Sequence, residues 1–213
     1  MKLKINEIFY SIQGESTYAG LPCIFIRLTY CNLRCTWCDS EYTFHDGKDM
    51  TIDEILIEIQ KYNCNLVEVT GGEPLFQENC IPLLEKLEEK KYQILLETGG
   101  SLPVNKVPKS VVKVIDFKCP GSGMEKKNLW SILDDIDEKD EIKFVIKDKS
   151  DYDWAEQKVR EYNLDKTNPV IFSPVFEVLK YETLAEWVKT SNLNIRMQIQ
   201  LHKHIWSPEL TGV

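Results

Sequence analysis

The sequence predicts an α/β protein built as a partial, open βα barrel, with about six parallel core strands and helices outside. Three observations predict it. Short apolar runs of strand length alternate with segments whose apolar residues recur at helical spacing, the signature of a parallel sheet flanked by helices. The chain has 213 residues, fewer than the about 250 that a closed eight-stranded barrel takes. Several predicted strands also end in Gly-rich or polar loops, and barrel proteins place their sites at the carboxyl ends of strands. No linker, repeat or low-complexity tract divides residues 1–213, which read as one domain.

The elements follow in order. Residues Lys4 to Phe9 form a short strand leading into the polar Gln13-Gly14-Glu15. Cys23 to Tyr30 is an apolar run that reads as a buried strand, with Arg27 inside it. An unpaired charge there is costly, so Arg27 either pairs with an acid or faces a cavity and binds an anion. The expectation is the second. Thr51-Ile52-Asp53-Glu54 is a capping box that opens a helix over Ile55, Ile59 and Tyr62. The strand Leu66 to Val69 ends in Thr70-Gly71-Gly72-Glu73-Pro74 and precedes a helix over Ile81, Leu84 and Leu87. Strands are expected at Tyr92–Glu97, Val111–Lys118, Glu141–Lys147, Pro169–Phe172 and Ile195–Gln200, with helices at Asn128–Ile136, Asp151–Tyr162 and Thr183–Lys189.

Bulk properties narrow the classes of function. A net charge of −8 argues against nucleic acid or an anionic membrane surface as the main partner. No apolar run approaches the ~20 residues that span a bilayer. Seven cysteines, an odd number, without an opening signal-peptide pattern fit a reducing, cytoplasmic setting. Cys23, Cys64 and Cys80 stand singly and read as small buried apolar residues.

The chemistry concentrates in Cys31-Asn32-Leu33-Arg34-Cys35-Thr36-Trp37-Cys38, a C-x3-C-x2-C run directly after a predicted strand. Thiolates converging in a loop select zinc, copper(I) or an iron–sulfur cluster. A structural zinc or a fully protein-ligated cluster wants a fourth ligand, and no fourth Cys follows at a matching spacing. Three ligands and an open position point to chemistry at the metal. The competing reading is a zinc knuckle completed by Cys23 or His45. In the Thr70–Pro74 loop the glycines allow close backbone approach, and Glu73 offers a carboxylate to an ammonium group. After Cys38, Asp39 and Ser40 read either as a solvated turn or as a hard-oxygen site for Mg²⁺ through Ser40. Near the end, Gln200-Leu201-His202-Lys203-His204 places two His and a Lys where the last strand finishes, with His202 the better candidate for substrate contact.

The Cys loop followed by a Gly-Gly-Glu-Pro loop resembles the radical S-adenosylmethionine (SAM) enzymes. Across essentially the whole chain the sequence resembles one family among them, 7-carboxy-7-deazaguanine synthase. Gln13-Gly14-Glu15, Arg27, Asp116-Phe117-Lys118-Cys119-Pro120, Ser173-Pro174-Val175-Phe176 and Gln200-Leu201-His202-Lys203 carry that resemblance. It implies a fold of the radical SAM type and a ring contraction of 6-carboxy-5,6,7,8-tetrahydropterin to 7-carboxy-7-deazaguanine with loss of ammonia, in queuosine or deazapurine biosynthesis. A [4Fe–4S] cluster on Cys31, Cys35 and Cys38 would cleave SAM to a 5′-deoxyadenosyl radical that takes hydrogen from C6 of the pterin. Trp37, Cys38, Asp39, Gly72, Glu73, Lys118, Ser173, Pro174, Val175 and Phe176 would then line SAM. Ile12, Gln13, Gly14, Glu15, Arg27, Thr70, His202 and Val213 would hold the pterin, and Ser40 would bind Mg²⁺. The family often has Thr at the Ser40 position. The resemblance further implies a flavodoxin or ferredoxin as electron donor and a homodimer. An activating enzyme for a glycyl-radical enzyme and a non-catalytic zinc-binding module are the alternatives.

Overall fold

The structure is a computed structural model and describes all residues, 1–213. Its strands are β1 (Lys2–Ile12), β2 (Pro22–Leu28), β3 (Lys48–Thr51), β4 (Leu66–Gly71), β5 (Gln93–Thr98), β6 (Val112–Asp116), β7 (Glu141–Ile146), β8 (Val170–Pro174) and β9 (Ile195–Met197). Its helices are α1 (Ile52–Ile59), α2 (Cys80–Glu89), α3 (Lys149–Tyr162), α4 (Leu164–Thr167), α5 (Tyr181–Thr190) and α6 (His202–Ile205). The strands form one sheet in the order β3-β1-β2-β4-β5-β6-β7-β8-β9. From β2 to β9 every neighbour is parallel, while β1 runs antiparallel to both β2 and β3. The open, mostly parallel βα architecture is the expected one, with seven parallel strands where about six were expected.

The short helices α4 and α6 were not expected, and three further elements differ from expectation. The polar strand β3, Lys-Asp-Met-Thr, has no apolar alternation and exists because it pairs along the edge of β1. The segment 128–136 is not an α-helix; it holds a 3-10 turn at Trp130–Asp134. The cause is local. The Asn128 side chain accepts from Lys118 N–H and donates to Lys118 C=O, both at 2.9 Å, which keeps the chain out of a helical start. The last strand stops at Met197. Beyond it Gln198 donates its amide to the Ser16 carbonyl and Leu201 N–H reaches the Gly14 carbonyl, turning the chain into the barrel mouth. The capping box at Thr51 forms as expected: Thr51 Oγ1 accepts from Glu54 N–H at 3.2 Å and Glu54 accepts from Thr51 N–H at 2.7 Å.

Side-chain parity divides the sheet into two faces. One set of alternating positions, Ile24, Ile26 and Leu28 on β2, Val67 and Val69 on β4, Ile142, Phe144 and Ile146 on β7, packs against the helices. Those helices contribute Ile55 and Ile59 (α1), Leu83 and Leu87 (α2), Ala155 and Val159 (α3) and Leu184 (α5). Burying each such large apolar side chain contributes about 1.5–3 kcal/mol. The other set points into the barrel. At the amino ends of the strands it is apolar, with Cys23, Leu66, Leu95 and Val112 beneath the stacked rings of Phe9 and Phe25. Toward the carboxyl ends it becomes charged: Arg27 above Phe25, Glu68 above Leu66, Glu97 above Leu95, Asp116 above Val114. A dry floor and a charged upper layer set the depth of the site.

Candidate active site

The barrel mouth encloses a cavity of about 650 Å³, within the range of small-molecule sites. It is built from strand ends, the Gln13–Glu15 loop, the cysteine loop and residues 200–213.

The cysteine loop leaves β2 and forms one wall. Cys31, Cys35 and Cys38 all line the cavity, together with Trp37, Asp39 and Ser40. Backbone contacts hold the loop: Glu73 N–H to the Tyr30 carbonyl at 2.9 Å, and Thr36 N–H to the Ser122 carbonyl at 3.1 Å. The Thr36 hydroxyl also donates to the Gly121 carbonyl at 2.9 Å. Gly72 sits against this loop so tightly that a Cβ there would overlap the Tyr30 carbonyl oxygen and lie 2.7 Å from Cys31 Cβ. Burial pushes the Cys31 and Cys35 thiols up, Cys35 to about 11, and each thiol is raised further by the other cysteines of the loop. The three thiols line one cavity without being drawn together into a ligand cluster. As a donor set, three thiolates and no fourth cysteine on the cavity wall fit a metal centre that keeps one position open, since binding a metal deprotonates the thiol. The zinc reading does not fit. Cys23 is fully buried in the barrel floor, and neither Cys23 nor His45 lines the cavity.

The rest of the lining is charged. Arg27 donates from Nε to Glu7 at 2.7 Å, so it does pair with an acid, contrary to the expectation of anion binding alone. It also lines the cavity, and its terminal N–H groups have no protein partner, which leaves its fork open to an anion. Lys143, on β7, is buried between Glu15 and Glu97, with Nζ 2.8 Å from Glu97 and in contact with Glu15. Burial alone would raise Glu15, but the charges of Lys143 and His202 outweigh it and hold the carboxyl below its ordinary range. Glu97 goes the other way, raised by burial that Lys143 only partly offsets. Lys118 pairs with Asp116 at 2.8 Å. Asp39 takes the Lys203 ammonium at 3.0 Å and the Gln200 amide at 2.9 Å. Burial pushes the His202 imidazole down, so it is neutral at pH 7.

Ile12, Gln13, Gly14, Thr70, Ser173, Pro174, Val175, Phe176 and Val213 also border the cavity. Ser173 Oγ and Asp116 Oδ1 are buried there with no protein partner, the kind of polar atom that a ligand satisfies. One expected residue does not face the cavity. Glu73 is fully buried, and its carboxylate is taken up by Leu75 N–H (3.1 Å), the Thr98 hydroxyl (2.8 Å) and Gly99 N–H (2.7 Å). It shapes the two Gly-rich loops from behind. The side chain of Gln13 is similarly committed: its amide donates to Glu68 and accepts from Glu15 N–H at 3.0 Å. Glu68, Glu97 and Lys143 line the cavity and were not expected there. The signal that finds them is the one that picked out Arg27: a charge at an inward position of an apolar strand.

A cysteine-walled, charged cavity at the carboxyl ends of an open parallel barrel defines a radical SAM protein, and a profile described as Radical SAM superfamily matches residues 25–116. The chain is 47% identical to the 7-carboxy-7-deazaguanine synthase of Koribacter versatilis, over 99% of this chain and all of that one. It is 44% identical to the synthase of the same name from Chlorobaculum tepidum, over 99% of this chain and 97% of that one. Among solved structures it is similar to QueE from Escherichia coli, with a TM-score of 0.78 at 25% identity over 95% of both chains. The chain belongs to the 7-carboxy-7-deazaguanine synthase family.

Proposed function

We propose that this chain, acting over residues 1–213 as one radical SAM core domain, converts 6-carboxy-5,6,7,8-tetrahydropterin to 7-carboxy-7-deazaguanine. The balance is the loss of one ammonia: a ring nitrogen leaves as the six-membered ring contracts. The observation that carries the reading is that Cys31, Cys35 and Cys38 line the same cavity as Arg27, Glu15 and His202. When bound, a [4Fe–4S] cluster supplies the electron that cleaves SAM and so starts the hydrogen abstraction.

The chain's own residues bind, orient and exclude water. Cys31, Cys35 and Cys38 hold the cluster. Gly72, Lys118, Trp37 and the Ser173–Phe176 segment flank SAM, with Ser173 Oγ and Asp116 Oδ1 free to accept or donate to it. The open amino groups of Arg27 take the pterin carboxylate, and Glu15, Thr70, neutral His202 and the Gly14 backbone take the ring. The Ser40 hydroxyl, beside Cys38 Sγ at 3.7 Å, would offer Mg²⁺ a hard oxygen. Electrons come from a small flavodoxin or ferredoxin, the active form is a homodimer in the cytoplasm, and the product feeds queuosine or deazapurine biosynthesis. No helix is long and apolar enough to cross a membrane.

The test is anaerobic reconstitution with iron and sulfide, followed by SAM, dithionite, Mg²⁺ and the pterin. Formation of 7-carboxy-7-deazaguanine, with SAM used catalytically, is expected. SAM cleavage without a deazapurine would discard the substrate and keep the class.

A further inference from the structure

Glu68 is the one carboxyl in the upper layer of the barrel with no cation of its own. It lies at an inward position on β4, is 4% exposed and borders the cavity. The charged groups around it come from four directions. On β2 stand Arg27 and the Cys23 thiol; on β5, Glu97; on the Gln13–Glu15 loop, Glu15; and on β7, Lys143 behind Glu15 and Glu97. Arg27 is engaged by Glu7, and Lys143 is shared by Glu15 and Glu97. Two cations thus serve three other carboxylates before Glu68 is reached. A buried carboxylate with no cation is costly, and such a group keeps its proton instead.

The hydrogen bonds say where that proton sits. Oε2 of Glu68 accepts from the side-chain amide of Gln13. The amide cannot be flipped to reverse this, because its oxygen is fixed by Glu15 N–H at 3.0 Å. An oxygen that accepts an amide N–H leaves the carboxyl proton to the other one. Oε1 has no protein partner, so the hydroxyl is presented to the cavity.

We propose that Glu68 enters the substrate site as an undissociated carboxylic acid and donates its Oε1–H to a carbonyl acceptor on the substrate ring. This deepens the pterin reading given above and rests on it, because the pterin carries one ring carbonyl flanked by N–H donors. Glu15, which Lys143 holds below its ordinary range, suits the donors, and Glu68 supplies the one donor that the carbonyl needs. Consistent with this, burial and the neighbouring Glu97 push the Glu68 carboxyl up to about 8. Glu68 is a specificity-determining residue: a ring with an amino group in place of the carbonyl would meet two donors face to face.

The experiment measures anaerobic pterin binding and KM for the reconstituted wild type, Glu68→Gln and Glu68→Leu between pH 6.5 and 9. Glu68→Gln keeps an N–H donor in the same place and loses the titration. At pH 7 it is expected to bind about threefold more weakly, and Glu68→Leu at least tenfold more weakly, from loss of a buried hydrogen bond. SAM binding should not move in either. Wild-type affinity should weaken as pH rises through about 8, and that of Glu68→Gln should not. An infrared carbonyl band of a protonated carboxylic acid, present in wild type at pH 7 and absent from Glu68→Gln, reports the same proton without any substrate.

Glu68→Leu binding the pterin as tightly as wild type would overturn the proposal. So would a wild-type affinity that strengthens on deprotonation, or the absence of the infrared band. Wild type that fails to bind the pterin at all would remove the functional reading, and this inference with it. Those results are distinguishable because the first set requires a wild type that binds.

Discussion

Glu73 accepts a hydrogen bond from Gly99 N–H at 2.7 Å, tying the loop after β4 to the loop after β5 from behind the cavity wall. The same carboxylate takes the Thr98 hydroxyl and Leu75 N–H, and it is fully buried. Burial raises its pKa against the pull of those three donors, so the bonds compensate for desolvation and do not exceed it. Removing it strands three donors. Glu73→Ala should lower folding stability by about 2–4 kcal/mol, on the scale of a broken buried network. Denaturant unfolding of the protein before cluster loading measures this directly. A variant that loses SAM binding with no change in stability would mean that the carboxylate turns into the cavity when SAM is bound.

Gly14 and His202 pack in direct contact. A Cβ at position 14 would overlap the His202 Nδ1 and lie 3.0 Å from its backbone nitrogen. The contact joins the loop after β1 to the start of α6, since Leu201 N–H also bonds the Gly14 carbonyl at 3.0 Å. Gly14→Ala should push His202 out of register. KM for the pterin is expected to rise roughly tenfold while SAM binding changes little, because a displacement of this size misaligns only one side of the site. A KM within twofold of wild type would show that His202 does not hold the substrate.

How far the residues could be read in advance follows from which physical signals are local. The cysteine spacing, the Thr51–Glu54 capping box and the strand-to-Gly-loop transition at Thr70 are local, and each stands where expected. The site's second wall is not local. Lys143 meets Glu15 from 128 residues away in sequence, a pairing that only the wrapped sheet creates. Even so, its parity was readable: Lys143 alternates with Ile142 and Phe144, as Glu68 alternates with Val67 and Val69, and a charge inside such a run must face something polar. Glu73 misled for the opposite reason. A carboxylate in a Gly-rich loop looks free to meet a ligand, and nothing in the loop shows that Thr98 and Gly99 will claim it.

The cysteines separate into two groups by position. Cys31, Cys35 and Cys38 line the cavity, while Cys23, Cys80 and Cys119 are buried elsewhere and Cys64 donates to the Pro22 carbonyl at 3.3 Å. Replacing any of the first three by Ala should abolish the visible absorption and iron content of the reconstituted protein. Replacing Cys64 or Cys119 by Ala should leave both near wild type. Iron retained in Cys35→Ala would remove the assigned cluster site.

Lys143 makes the interior acids tolerable. The residue is 4% exposed, its Nζ contacts Glu15 and stands 2.8 Å from Glu97, and against the downward pull of burial those neighbours raise it well above its ordinary value. Lys143→Met leaves two half-buried carboxylates without their shared cation. Losing one partner of a buried ion pair costs about 3–5 kcal/mol. The double variant Lys143→Met/Glu97→Gln should regain part of that loss, which a double-mutant cycle by denaturant unfolding would read as coupling. Strict additivity would mean that Glu15 alone carries the interaction.

Two of these acids give stability a defined pH dependence of opposite sign. Burial first, and the Glu97 charge second, move the Glu68 carboxyl from an ordinary 4.5 up to about 8. A group that holds its proton more tightly when folded contributes stability that is fully present below the unfolded value and lost as pH rises through the folded one. For Glu68 that window runs from pH 4.5 to about 8. Glu15 is lowered from 4.5 because Lys143 and His202 outweigh its burial, so its contribution is present above 4.5 and lost as pH falls below it. Glu68→Gln removes the first and leaves the second. Measured by urea unfolding in steps across this range, the stability of wild type relative to Glu68→Gln should decline steadily from pH 5 to about 8 and then level off. Both proteins should destabilise together below pH 4.5, where Glu15 takes up its proton. A wild-type-minus-variant difference that stays constant from pH 5 to 8 would place the Glu68 proton in solution and not in the barrel.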